Sequence, residues 1–376
     1  MIEVREVKTR KEIKEFVNLP LDLYYKNKYF VPCLYSDEMK LFKKNPVYAS
    51  CADTIFYNAY DDGKIVGRIQ GIIQRDANKK WNRKRVRFTR FDSINDQEVA
   101  NLLFDKVNDW AKEKGMIEIV GPLGFSDLDR EGLLIEGFNY LSTFEEQYNY
   151  PYYQKLIENY GFEKEVDWVE EELRYPYDRE DEVEKLKDLS ERVFSRYNLH
   201  LGKFKSINQF LKKHHEELFN LIEECYSDLY GTTPITNEMR DSLIAGFKFL
   251  VKPRDLITIF NEKEELIAFG FGFASIAKAI QKSYGRLTPF AIIRILKSIR
   301  NPKIIELALI GVKKEYMNKG VPALIVYEMM MYLKRVGCEH LETNLNLEDN
   351  SNILNLFSRF DRQFHKRRRS FVKEIK

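Results

Sequence analysis

A charged loop with a single glycine, residues 313–320, separates two apolar runs near the end of the chain. The run before it, residues 304–312, is short and β-branched, which predicts a buried strand. The run after it predicts a helix over residues 322–336 that ends at Gly337. A loop that leads into a helix presents main-chain N–H groups and the positive end of the helix dipole. The pattern therefore indicates an anion site, suited to phosphate, beside Gly320.

Two polar residues follow on the next predicted strand, residues 340–347. Glu342 and Asn344 are two positions apart, so their side chains are expected on the same face of that strand. They could hold a substrate or support the glycine loop. The order strand, loop, helix, strand is a βαβ unit, which many other α/β folds also contain.

With these residues in place, the stretch resembles the GNAT superfamily of N-acyltransferases. The family's loop, Gln/Arg-x-x-Gly-x-Gly/Ala, is matched by MNKGVP at residues 317–322, with Gly320 at its first glycine. Met317 and Pro322 depart from that pattern, and the proline removes one N–H donor. The wider context, GVKKEY at residues 311–316 and ETN at residues 342–344, looks like a bacterial tandem-GNAT-like family.

The resemblance implies a donor, a base and an acceptor site. The co-substrate would be acetyl-coenzyme A or another acyl-coenzyme A, with no metal. Glu306 would be the general base and Glu342 a second catalytic carboxylate, with Asn344 at the acceptor. Members of the family often use a tyrosine as general acid for the departing thiolate. The matching position here is Phe357, on a helix predicted over residues 351–364, and a phenylalanine cannot donate a proton. The donor would be held by two groups, the strand main chain and the loop: Leu309, Ile310, Gly311 and Val312, then Lys313, Lys319, Gly320 and Val321.

Composition limits the alternatives. The 376 residues suffice for two or three domains, and 44% hydrophobic with 32% charged residues is typical of a globular protein. The net charge of +3 gives no overall signal for nucleic acid. Four scattered cysteines without a CxxC pair indicate reduced thiols in the cytoplasm. No apolar run is long enough to predict a membrane span.

The first half repeats the same layout without the glycine loop. Thr9 and Glu12 form a predicted capping box, residues 52–60 and 64–74 a hairpin, and residues 96–115 an amphipathic helix. Residues 92–96, at the place of the phosphate loop, contain no glycine and are acidic. We therefore expect a degenerate copy that does not bind coenzyme A there.

A glycine-rich stretch, residues 121–138, follows a strand of this half. Its four glycines predict unusual backbone angles. One hypothesis makes it a substrate loop with Ser126 at the site, and the other makes it a structural connection between domains.

The second half repeats the hairpin at residues 255–274, about 200 positions later, which indicates internal duplication. The predicted fold class is α/β (α+β): two tandem GNAT-like domains, each a mixed, mostly antiparallel sheet flanked by helices. We expect domains at residues 1–177 and 199–376, joined by a helix at residues 178–198. The second domain would carry the acyl-coenzyme A loop.

Two other functions stay open. One is a Fem-type aminoacyl-tRNA-dependent transferase, to which a basic cluster at residues 365–369 would contribute, so tRNA stays among the partners considered. The other is a non-catalytic ligand-binding or scaffold protein. For the main hypothesis the acceptor is a small-molecule or peptide amine. Residues 277–300, apolar and basic at helical spacing, would be part of a site for a long or anionic acceptor, or a surface helix pair with a solvated face.

Overall fold

The computed structural model describes residues 1–43 and 47–375, which form one large mixed sheet flanked by helices. The strands of this sheet are β1 (Ile2–Glu6), β2 (Ala52–Asp61), β3 (Lys64–Gln74), β4 (Arg85–Ser93), β5 (Glu118–Gly121), β6 (Leu133–Glu136), β7 (Glu163–Arg174), β8 (His200–Leu201), β9 (Leu256–Phe260), β10 (Leu266–Ala274), β11 (Ile304–Val312), β12 (His340–Glu342), β13 (Asn346–Leu347) and β14 (Asp361–Glu374). The α-helices are α1 (Arg10–Leu23), α2 (Tyr35–Lys40), α3 (Arg75–Lys80), α4 (Gln97–Glu113), α5 (Tyr152–Asn159), α6 (Glu180–Arg196), α7 (Ile207–Tyr226), α8 (Asn237–Phe247), α9 (Ala277–Gln281), α10 (Pro289–Arg300), α11 (Val321–Val336) and α12 (Ser351–Phe357).

The sheet has a repeated strand order. Its central path is β1-β2-β3-β4-β5-β14-β7-β12-β11-β10-β9-β8. The first four strands are antiparallel and β5 joins β4 in parallel, while β8 to β11 are antiparallel and β12 joins β11 in parallel. The two halves of the chain therefore repeat one layout, as the predicted duplication requires.

Each half completes its sheet with a strand from the other half. β14, from the end of the chain, pairs with β5, and β7, from the first half, pairs with β12. β14 and β7 also pair with each other along most of their length, which joins the halves into one sheet. The final strand already begins at Asp361, and the helix predicted to reach residue 364 ends at Phe357. In β14, Lys366 and Arg368 of the basic run 365–369 form buried ion pairs with Glu170 of β7.

Local signals in the sequence are confirmed where they depend on nearby residues. Thr9 and Glu12 form the capping box of α1, and Asp96 caps α4. The hairpin of β2 and β3 closes with Asp61 opposite Lys64. The strand predicted over residues 340–347 is split into β12 and β13.

Two main apolar cores lie against the sheet. In the first half, α4 and α5 pack on the strands through side chains that include Phe88, Phe104 and Tyr153. In the second half, α6 and α11 do so through Val193, Ile325 and Met329. Within residues 1–43 and 47–375, no helix combines the length and apolar composition that a bilayer crossing requires.

Candidate active site

A wedge opens between two neighbouring strands in the second half. β11 and β12 pair in parallel only from Ile304 opposite His340 to Glu306 opposite Glu342. Beyond that point β11 continues to Val312, whereas the other chain turns away and pairs with β7 through β13. The divergence leaves one edge of β11 without a neighbouring strand over residues 307–312.

This wedge is part of a cavity of about 540 Å³, a size typical of ligand pockets. One wall is β11 from Glu306 to Val312, and the opposite wall is residues 342–347 with α12. The cavity extends between α7 and α8, where its lining is mainly apolar. The apolar side chains there include Phe210, Leu218, Phe219, Ile222, Leu243, Phe247 and Phe273.

Glu306 lies at the vertex of the wedge and is 4% exposed. Burial, together with the charge of Glu145, raises the pKa of Glu306 to about 8, although the hydroxyl of Ser275 donates to its Oε1. The other oxygen, Oε2, has no hydrogen-bond partner of good geometry among the described residues, although the main-chain N–H of Phe144 is close enough to lower the pKa of this carboxyl. A buried carboxyl with a free oxygen and a pKa near neutrality is suited to exchange a proton with a ligand.

The first half contributes a second group of carboxyls to the same cavity, of which Glu131 and Glu146 are buried and Glu145 is half-buried. Burial raises the pKa of Glu145 to about 7 and that of Glu146 to about 8. Burial also raises the pKa of Glu131 well above its ordinary value. All three line the cavity. Glu131 lies within the glycine-rich stretch 121–138, where only Ser126 was predicted at the site, whereas Glu145 and Glu146 lie in an irregular segment that no local pattern marks.

Glu342 also lines the cavity, but its carboxylate is already paired. Burial alone would raise its pKa, yet the charge of Lys366 and hydrogen bonds from His340 and His365 hold the pKa well below its usual range. The Nε2 atom of His365 lies 2.7 Å from Glu342 Oε1, and Lys366 Nζ contacts the same oxygen. Glu342 is therefore an ionised carboxylate in an internal network and a weak proton acceptor.

The main chain of β11 faces the wedge, as the resemblance implies, but one residue is occupied. The hydroxyl of Tyr226 donates to Ile310 O at 2.9 Å and accepts from Ile310 N at 3.1 Å. Cys225 Sγ lies 3.4 Å from Val312 O. Any arm that paired with β11 at Ile310 would take the place of the tyrosine hydroxyl. Tyr226, at the end of α7, is a site residue that the sequence analysis did not identify.

The predicted donor residues are only partly brought together. The cavity is lined by the predicted strand residues Leu309, Ile310, Gly311 and Val312. It is not lined by the other predicted donor residues, Lys313, Lys319, Gly320 and Val321. Lys314, Met317 and Pro322 line it from the same loop.

The predicted donor residues that do not line the cavity each have a structural role within the loop or the core. Lys313 Nζ pairs with Glu315 at 3.0 Å, and Lys319 Nζ lies over the ring of Tyr316. Gly320 has φ +82 and caps α11, while Val321 is fully buried in the core. Of the lysines in this loop, Lys314 alone lines the cavity, and its Nζ pairs with Asp228 at 3.0 Å.

The predicted substrate residues have different environments. Asn344 lines the cavity, and its Oδ1 accepts from Leu345 N at 2.8 Å. Ser126 is 1% exposed and does not line the cavity, because its Oγ accepts from Leu128 N within the glycine-rich loop. Phe357 is fully buried on the cavity wall.

The basic cluster of residues 365–369 is consumed by internal ion pairs. Lys366 Nζ lies 3.0 Å from Glu170 Oε2, and Arg368 Nε lies 2.7 Å from Glu170 Oε1. Arg369 pairs with Asp167 at 2.7 Å. A cluster neutralised in this way gives no support to RNA binding. The ammonium group of Lys366 lies between Glu170 and Glu342. These two carboxylates and His365 are close enough together to bind a metal ion, but the lysine already neutralises both carboxylates.

No protein-family model matches the chain. Protein YghO of Escherichia coli (strain K12) is 26% identical over 386 residues, which cover 99% of this chain and 95% of that protein. The bacterial ceramide synthase of Caulobacter vibrioides (strain NA1000 / CB15N) is 25% identical over 339 residues, 88% of this chain and 85% of that one. Among solved structures, a tandem GNAT protein from the clavulanic acid biosynthesis pathway has a TM-score of 0.57 at 10% identity, covering 100% of this chain and 99% of its own. Because the structural likeness extends over both halves, the chain has the tandem GNAT fold.

Proposed function

We propose that the protein transfers an acyl group from acyl-coenzyme A to the amine of an acceptor with a long apolar chain. The observation that carries this proposal is Glu306, a buried carboxyl whose Oε2 has no hydrogen-bond partner of good geometry, at the vertex of a wedge that opens into a mainly apolar cavity. The divergence of β11 from β12, which opens the wedge beside Glu306, supports the proposal.

The donor is held along β11 in this proposal. The main chain from Leu309 to Val312 lines the wedge and offers hydrogen-bonding groups to the pantetheine arm. At Ile310 the pantetheine arm displaces the hydroxyl of Tyr226, which bonds the same main-chain N–H and C=O groups that an amide of the arm would use. The diphosphate lies beside Lys314 and the first turn of α11, where main-chain N–H groups lack helical partners.

Glu306 removes the proton from the acceptor nitrogen as that nitrogen attacks the thioester carbonyl. A C–N bond forms, the C–S bond breaks, and coenzyme A leaves as a thiolate that the same proton neutralises. A pKa of about 8 lets Glu306 both accept and return a proton near neutral pH. Glu342, already ionised and paired, keeps Lys366 and His365 in place and does not take part in proton transfer.

The apolar lining indicates the class of acceptor. Small polar amines leave the side chains of α7 and α8 facing water in a cavity of this size, whereas an alkyl chain covers them. The relative named a bacterial ceramide synthase supports this choice, since a ceramide is the amide of a fatty acid and a long-chain amine. The first half, proposed as residues 1–177, shapes this acceptor end through Glu131, Glu145 and Glu146. The second proposed domain is residues 199–376. The four cysteines are free thiols, which supports a cytoplasmic location for the protein.

The test is amide formation by the purified protein. A long-chain 2-amino-1,3-diol is incubated with palmitoyl- or acetyl-coenzyme A, and mass spectrometry detects the amide while a thiol reagent follows coenzyme A release. Glu306→Gln is expected to lower turnover by about 100-fold or more, the usual contribution of a general base. Glu328→Gln, a partly buried carboxyl of α11 that does not line the cavity, is the control and keeps turnover.

Lys314→Glu tests the donor site, with Lys187→Glu, another ion-paired surface lysine, as its match. Calorimetric titration with coenzyme A is expected to show weaker binding only in Lys314→Glu. Full turnover in Glu306→Gln contradicts the assigned base. Binding of acyl-coenzyme A without amide formation from any amine favours the non-catalytic alternative.

A further inference from the structure

The surface formed by residues 284–296, at the start of α10, exposes an unusual number of large apolar side chains. Fifteen such side chains are exposed among the described residues, and six of them lie in this one segment. Phe290 is 73% exposed, Ile293 62% and Leu296 58%. The six residues are Tyr284, Leu287, Phe290, Ile292, Ile293 and Leu296. A cluster of this kind marks an interaction site.

The exposed residues are not the packing face of α10. Ala291, Ile295 and Ile299, which are four positions apart, face the protein, and Ile295 packs on a small cluster with Ile276 and Ile280. Ile293 and Leu296 lie on the outward side of the same helix, where a surface helix ordinarily carries polar residues. The helix is therefore apolar on both its inner and its outer side.

Cations surround this apolar surface without compensating acids. From residue 266 to residue 305 the sequence contains seven Lys and Arg residues and no Asp or Glu. Six of the seven form no ion pair with any residue in the described ranges 1–43 and 47–375, and Lys303 alone pairs, with Glu339. The unpaired cations are Lys278, Lys282, Arg286, Arg294, Lys297 and Arg300.

We propose that α10 lies in the plane of an anionic lipid bilayer and docks the protein on the membrane surface. Exposed Phe, Ile and Leu side chains enter the boundary between headgroups and acyl chains, while flanking Lys and Arg contact anionic headgroups. The geometry matches an interfacial helix, which lies on the bilayer and does not cross it.

A second copy of the same chain is a poorer occupant. In a two-fold dimer through this face, each patch meets its own copy, so Arg294, Lys297 and Arg300 approach like charges. An apolar surface ringed only by cations is complementary to a surface that is apolar and anionic. A bilayer with anionic lipid has both properties.

The docking surface adjoins one end of the cavity. Leu250, just after α8, packs in the same small cluster as Ile295. Phe247 and Val251, on either side of Leu250, line the cavity. Phe249, beside Leu250 in sequence, is a further large apolar side chain that is 69% exposed. Docking would bring this end of the cavity to the membrane, yet the inference depends only on surface residues and stands whether or not the protein is an acyltransferase.

Vesicle sedimentation tests the proposal with the full chain. The purified protein is mixed with vesicles of phosphatidylglycerol and phosphatidylethanolamine, or of phosphatidylcholine alone. We expect binding to the anionic vesicles, weak binding to the neutral ones, and release at high salt, which screens the charges. Arg294→Gln, Lys297→Gln and Arg300→Gln together are expected to weaken binding about 100-fold, from roughly five-fold per charge. Ile293→Ser with Leu296→Ser is expected to abolish it.

Matched variants separate the surface from general effects. Lys106→Gln, Lys112→Gln and Lys114→Gln remove three exposed cations elsewhere, and Ile117→Ser with Tyr177→Ser removes two exposed apolar groups. Circular dichroism confirms that each variant is folded. Equal binding to both vesicle types, no binding, or equal losses in the control variants would overturn the proposal. So would a dimer in sedimentation equilibrium that Ile293→Ser dissociates.

Discussion

The hydroxyl of Tyr226 bonds both main-chain groups of Ile310, at 2.9 Å to the carbonyl oxygen and 3.1 Å to the nitrogen. Tyr226 ends α7, and Ile310 lies on the free edge of β11. A side chain thus occupies the position at which a substrate amide would pair with the strand. The donor site we propose is therefore self-occupied, and binding there is an exchange of partners.

Removing this hydroxyl should tighten coenzyme A binding. In Tyr226→Phe the arm no longer competes for Ile310, and each freed hydrogen bond is worth about 0.5–1.5 kcal/mol net. We expect the dissociation constant, measured by calorimetric titration, to fall by about ten-fold. Tyr230→Phe, whose hydroxyl contacts Glu165 and not β11, is the control and should bind as the parent does. Unchanged or weaker binding in Tyr226→Phe would show that the arm does not pair at Ile310.

The stability of the protein should depend on the protonation of Glu306. Because its folded pKa is raised to about 8, the native state holds a proton that the unfolded chain releases from about pH 4.5 upward. The stabilisation is full below that pH and is lost as the pH rises to about 8. Glu145 and Glu146, with pKa values raised to about 7 and about 8, act in the same direction.

Glu306→Gln should therefore gain in melting temperature relative to the parent as the pH rises. Gln stays neutral, whereas a carboxyl loses about 1.4 kcal/mol for each pH unit over which the unfolded chain is ionised and the folded one is not. Thermal melts at about pH 5 and about pH 8.5 are compared, with Glu113→Gln as the exposed control. A constant difference between variant and parent across that range would contradict the raised pKa.

The buried network around Lys366 should be necessary for stability. Its ammonium group neutralises Glu170 and Glu342 together, and all three side chains are almost wholly buried. Lys366→Met leaves two carboxylates short of a partner, and we expect a loss of about 3–5 kcal/mol in urea unfolding. Lys164→Met removes ion pairs with Glu348 and Asp167, and because Asp167 keeps Arg369 as a partner the change should cost less than about 1 kcal/mol. If adding Glu170→Gln to Lys366→Met restores the free energy of unfolding, the loss is due to the unpaired charge. Similar losses in the two lysine variants would refute the special role of Lys366.

Gly320 is required for two separable structural reasons. Its φ of +82 disfavours any other residue, and an added Cβ would lie 2.9 Å from Val193 Cγ2. Gly337 has a similar φ of +68 with open space around it, so it isolates the backbone effect. We expect Gly337→Ala to lower the free energy of unfolding by about 1–2 kcal/mol. Gly320→Ala should cost clearly more, and equal losses would show that the Val193 contact relaxes freely.

The sequence by itself determined the elements whose signals are local. The capping box at Thr9, the hairpin turn at residues 61–64 and the end of α11 at Gly337 depend on neighbours a few positions away. The strand of residues 304–312, with the loop and helix that follow it, likewise indicated the fold through its β-branched run and its single loop glycine. These features follow from backbone conformation and short-range hydrogen bonding, which a single stretch of chain fixes.

The tertiary structure alone decided which residues share the site. Tyr226 reaches Ile310 across 84 positions, and Glu145 raises the pKa of Glu306 from the other half of the chain. The exchange of β7 and β14 likewise places Lys366 and Arg368, from the basic cluster considered for tRNA binding, in buried ion pairs with Glu170. Such contacts depend on long-range strand pairing and on the removal of water around charges, and no local pattern of residues records either.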